Sequence, residues 1–150
     1  MSNNQCINFE PKKSGFRKDK NAPSLLLDMA SKTFEYTFAK RQPKSVDTML
    51  RDTKVSKNPL DPLITRVTVT MRLEDIVMVE YDESLSSIMI VGAFCVTYKN
   101  SEYEIVRNYE KQNHCFSLSH QFENLQDFID TIESFENAKK CDGPLILVNL

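Results

Sequence analysis

The sequence predicts an α+β domain, a curved and mainly antiparallel sheet of about five to seven strands backed by one long C-terminal amphipathic helix, with short helices near the N-terminus. Three observations carry that expectation. Residues 64–118 are a succession of short apolar runs, several with strict two-residue alternation. Residues 122–140, FENLQDFIDTIESFENAKK, change to a helical period. Turn residues separate the runs, and the 150-residue length suits one domain able to bury roughly 70% of its unfolded surface.

Residues 1–23 are polar and basic, with Pro11, Gly15 and Pro23 and only scattered apolar side chains. Such a stretch buries too little to offset backbone entropy, so it is expected to be a flexible arm, with the globular domain spanning 24–150. In PSLLLDMAS, Pro23 and a Ser24 N-cap precede Leu25, Leu26, Leu27 and Met29, which predicts a short helix. Phe34, Tyr36 and Phe38 then alternate with polar residues, as on a half-buried strand. SVDTMLRDTKV is expected to form another short helix, and SKNPLDPL a loop.

ITRVTVTMRL sets Val67, Val69, Met71 and Leu73 on one face, a clear strand, and DIVMVEY is expected to follow as the next. SIMIVGAFCVTY reads as one long central strand, with Gly92 placed for a bulge or a close backbone approach and Cys95 in the core. EYEIVRNYE, HCFSLS and LILVNL supply the remaining strands. In the long helix Leu125, Phe128, Ile129, Ile132 and Phe135 share one stripe. The outline resembles sheet-plus-C-terminal-helix modules of the pleckstrin or phosphotyrosine-binding type, although no signature residue of those modules is present, and fold outline does not fix function.

Three glycines, at 15, 92 and 143, leave neither a G-x-G-x-x-G fingerprint nor a P-loop. The sharpest chemical cluster is His114, Cys115 and His120. On a strand His114 and Cys115 point to opposite faces, which argues against a thiol–imidazole pair. Zinc would need a fourth ligand from Cys141 or Asp142. A packed thiol on a half-exposed strand explains the motif with less, so no cofactor, metal or small-molecule substrate is expected. The aromatics Phe34, Tyr36 and Phe38 beside Lys40 and Arg41 resemble stacking surfaces for single-stranded nucleic acid, but one shared face fits core packing better.

Charge is where the sequence speaks about partners. The net charge is −2. Residues 1–72 carry 14 Lys and Arg against 7 Asp and Glu, and residues 73–150 carry 5 against 14, so the halves stand at +7 and −9. PKKSGFRKDK concentrates Lys12, Lys13, Arg17, Lys18 and Lys20 around Phe16, and a second basic group comprises Lys40, Arg41, Lys44, Arg51, Lys54 and Lys57. Glu74, Asp75, Glu80, Asp82 and Glu83 form the expected acidic docking face.

The expectation is a non-enzymatic assembly or adaptor protein that self-associates through the basic arm and the acidic half. Small viral matrix and coat-type proteins are similar in this organisation. The alternative is nucleic-acid binding through the two basic groups, and a third is a cysteine or zinc enzyme centred on Cys115. Phe16 is the lone apolar anchor in the cluster, which makes membrane contact weak. Cysteines without C-x-x-C spacing, an opening MSNN without an apolar leader, and no long apolar run predict a cytoplasmic or nuclear protein, in a host cytoplasm if viral.

Overall fold

The computed structural model describes residues 6–12, 22–42, 63–84, 87–137 and 143–150. In chain order its elements are β1 (Cys6–Phe9), β2 (Ser24–Asp28), β3 (Thr33–Gln42), β4 (Leu63–Arg72), a 3-10 turn (Leu73–Asp75), β5 (Ile76–Asp82), β6 (Ser87–Gly92), β7 (Phe94–Lys99), β8 (Glu104–Tyr109), β9 (His114–Leu118), the helix α1 (Leu125–Glu133) and β10 (Ile146–Leu147). The strands form two open sheets, one ordered β1-β2-β3-β4-β7-β8 and the other β10-β9-β6-β5. All pairs are antiparallel except the short parallel contact of β10 with β9.

Alternation explains how the sheets meet. Phe34, Tyr36, Val67, Val69, Met71 and Val96 of the larger sheet share one core with Ile88, Ile90, Phe116 and Leu118 of the smaller. Phe116 touches both Phe34 and Phe94, at ring centroid distances of 6.4 and 4.7 Å. Beyond the smaller sheet, α1 supplies the second layer. Its Phe128 packs edge-on against Phe34 and Phe9, at 5.4 and 5.5 Å.

Several expectations differ from what is found. Ser24–Asp28 is a strand, because Leu25 and Leu27 alternate into the core while pairing with Tyr36 and Phe34. Asp28 then accepts the Ala30 and Ser31 N–H groups, at 3.0 and 3.3 Å, and closes the β2–β3 turn with Lys32 left-handed. The other expected N-terminal helix, in residues 45–55, lies outside the described residues.

The apolar run from Ser87 is two strands in different sheets, not one. Gly92, at φ 148°, is the junction between them. A Cβ there would overlap the Asp75 carbonyl oxygen and approach the Met71 methyl at 2.6 Å. The expectation of a close backbone approach at Gly92 therefore holds, while that of a single strand does not. Cys95, expected in the core, is half-buried on the opposite face of β7, between Thr70 and Asn108 in the ladder.

The long helix is short. Phe122 instead bridges Pro11, with the Glu123 N–H donating to the Glu10 carbonyl at 2.7 Å, and Asn124 is left-handed. After Glu133 the bonds become i→i−3, and Asn137 N–H donates to the Ile76 carbonyl at 3.1 Å. The apolar stripe itself is as expected, with Phe128, Ile129 and Ile132 buried. The expected flexible arm also contains order, since Cys6–Phe9 pairs with β2 and Phe9 is buried.

Candidate functional site

The expected acidic face divides into two groups. Arg72 draws Glu74 and Asp75 to itself, with Nη1 3.0 Å from a Glu74 carboxylate oxygen and Nε donating to Asp75 at 2.9 Å. Arg72 and Glu74 are exposed, so solvent screens their attraction, while the Asp75 carboxylate is largely covered. Glu80, Asp82 and Glu83 stand at the far end of edge strand β5, roughly 20 Å along the strand by its rise per residue. There Asp82 accepts the N–H and the hydroxyl of Ser84, at 3.0 and 2.6 Å.

The root of the basic arm lies beside Tyr81, a strand neighbour of that second group. Lys12 N–H donates to the Gln121 carbonyl at 3.0 Å, and Lys12 lines a cleft of about 350 Å³ with Tyr81, Glu123 and Gln126. Tyr81 lies between Glu80 and Asp82 on β5, whose side chains alternate to the other face of the strand. Lys13, Phe16, Arg17, Lys18 and Lys20 lie outside the described residues. Of the second basic group, Lys40 Nζ donates to the Leu150 backbone oxygen at 2.8 Å and Arg41 belongs to β3, while Lys44, Arg51, Lys54 and Lys57 also lie outside them.

The His114, Cys115 and His120 cluster is not one site. His114 stacks near Tyr109 at 5.2 Å on one side of β9. Cys115 is buried, and its thiol approaches the Ile146 carbonyl at 3.6 Å. Burial first, and the Glu80 charge second, push that thiol's pKa up, the opposite of what a nucleophile needs. Cys141 and Asp142 lie outside the described residues, among which no group of three His, Cys, Asp or Glu side chains is placed to hold a metal.

His120 instead joins a different partner, 84 positions away. Its Nδ1 shares a hydrogen bond with the Tyr36 hydroxyl, and its ring lies 5.1 Å from Phe38. These groups, with Lys40, Ser117 and Ser119, line a cleft of about 380 Å³ between β3 and the end of β9. Burial lowers the His120 pKa and raises that of Tyr36, so the pair is neutral near pH 7. No local spacing announces this contact, because the residues belong to opposite sheets. The three aromatics of β3 do share one face, with Phe34 and Tyr36 buried in the core.

An open strand among the described residues is β8. All its residues but Tyr109 are exposed, including Ile105 at 41% and Val106 at 53%. Val106 follows the outer face of the larger sheet. Ile105 follows Tyr98 and Val67 on the inner face, yet it too meets solvent. The ladder to β7 is regular from Phe94–Tyr109 to Lys99–Glu104, without a bulge or a proline to protect the edge.

The class the fold defines is thus a two-layer, mainly antiparallel β protein whose sheets stay open at their edges. Compared with family models, curated proteins and solved structures, the chain matches none of them. No helix among the described residues is long and apolar enough to cross a membrane.

Proposed function

We propose that the protein acts without catalysis, as an assembly or adaptor protein that associates with further copies of itself through its basic N-terminal segment and its acidic half. The observation that carries this reading is the position of Lys12, in one cleft with Tyr81 of the acidic end of β5. Five positive charges follow in sequence within residues 12–20, opposite in sign to Glu80, Asp82 and Glu83, and such charges attract between copies. The raised pKa and burial of Cys115 count against the enzyme alternative.

Light scattering behind gel filtration at low and high salt, with the 260/280 absorbance ratio recorded, tests the reading. An oligomer free of nucleic acid whose mass falls in salt is expected. A monomer that elutes with nucleic acid, or a clean monomer at both salts, overturns it. Removing residues 1–23 would delete the core strand β1 with Phe9, so the informative variant replaces Lys13, Arg17, Lys18 and Lys20 with Gln; it should lower the mass at low salt.

A further inference from the structure

We infer that the edge of β8 is a second self-association surface, on which β8 of another copy pairs antiparallel about a two-fold axis centred on Val106. This rests on the assembly reading above but on a separate observation. Among the described residues, β8 is a six-residue edge strand with β7 on one side and no strand on the other, and its residues 104–108 are exposed on both faces. Unpaired N–H and C=O groups along a regular strand are a template for another strand.

A second copy of β8 is the occupant that the side chains select. A two-fold axis relating identical antiparallel strands stands perpendicular to the sheet and passes through one residue, so only a few registers exist. Centring on Arg107 would oppose Arg107 to its own copy and Glu104 to Glu110, like charges at every such pair. Centring on Ile105 leaves Tyr109 unpaired and draws in the bend at Ser101 and Glu102.

Centring on Val106 avoids both faults. Val106 meets Val106 on the outer face, and Glu104 meets Asn108, a carboxylate against an amide donor. On the inner face Ile105 meets the aliphatic stem of Arg107, for which no carboxylate among the described residues stands within ion-pair distance. Glu104 keeps its long contact with Lys99, at 3.9 Å, because that partner comes from β7. The exposure of residues 104–108 on both faces shows that no described element covers this strand against the approach. The pairing joins two six-stranded sheets into one, and since two strand edges bury less than the ~1,200 Å² of a standard interface, the dimer is weak and concentration-dependent.

The register makes the test specific. In a Cys6→Ser background, Val106→Cys places two thiols at the axis, with Cα atoms roughly 4.5–5.5 Å apart, within disulfide reach. Asn108→Cys places them far beyond it. On mild oxidation, Val106→Cys should give a covalent dimer and Asn108→Cys should not. Val106→Lys, in the otherwise native chain, should weaken dimerisation at least tenfold in sedimentation while leaving the circular dichroism unchanged. This contact should persist at high salt, unlike the charged arm contact.

If the protein oligomerises but Val106→Lys leaves its mass unchanged and neither thiol variant cross-links, the β8 inference falls and the assembly reading stands. If the wild-type chain is monomeric at every salt and concentration, both fall. Cross-linking of the Asn108→Cys variant in preference to the Val106→Cys variant would overturn the register.

Discussion

The two ends of the larger sheet hold similar apolar residues and treat them oppositely. In β2, near one end, Leu25 and Leu27 are 1% and 0% exposed. In β8, at the other, Ile105 on the same inner face is 41% exposed. The strands do not differ in kind. What differs is the layer opposite: α1 places Phe128 over Phe9 and Phe34, whereas no described element covers residues 104–108 of β8. Burial here is a property of the pair of layers, and an apolar strand without a second layer is open to a partner.

The contrast breaks most completely at the junction that creates the two layers. Gly92→Ala forces a side chain into positive φ and against the Asp75 carbonyl, a backbone atom that cannot swing aside. Loss of more than about 4 kcal/mol, or failure to fold, is expected in urea unfolding. Phe128→Ala comes next. Removing the cover from β1–β3 should cost about 3–4 kcal/mol, with hydrogen exchange in β1 and β2 rising far more than in β8.

Much of this architecture is legible in the residues, and the failures share a cause. β3 and β4 follow alternation directly, β5, β8 and β9 coincide with short apolar runs, and the stripe Phe128, Ile129, Ile132 marks the face of α1. The LLL of β2 points to a helix in the sequence because leucine suits both helix and strand, and only tertiary pairing with Phe34 and Tyr36 decides between them. Asp28 followed by Ser31 is the available signal of a hairpin turn. The helix starts late because Phe122 and Glu123 serve the bridge to Pro11 and Glu10, a partner no periodicity reveals. The His120–Tyr36 contact, across 84 positions, is likewise invisible to spacing, whereas the pairing of Arg72 with Asp75 is local, at i and i+3.

His120 gives a smaller effect, with a definite sign. Its folded pKa lies below the ordinary imidazole value of 6.5, so the unfolded chain binds the proton first as pH falls. The stability it contributes is complete above that value and is lost as pH drops through the interval down to the folded pKa. His120→Gln should flatten the stability profile between pH 7 and 5 and cost about 1 kcal/mol at pH 7, where the Tyr36 hydroxyl can still bond an amide. An unchanged slope would show that the imidazole is free to charge without leaving Tyr36.

The smallest expected effect sharpens the contrast most. Val106→Ser removes an apolar side chain from β8, as Phe128→Ala does from α1, but Val106 is 53% exposed and has no layer against it. In dilute solution, where each chain stands alone, its unfolding free energy should therefore change by no more than about 0.5 kcal/mol. A loss of about 2 kcal/mol or more would mean that the edge is already covered in the unit being unfolded. Repeating the measurement as protein concentration rises separates the cases: a penalty that grows with concentration belongs to association, because only a paired strand can register the lost methyl groups.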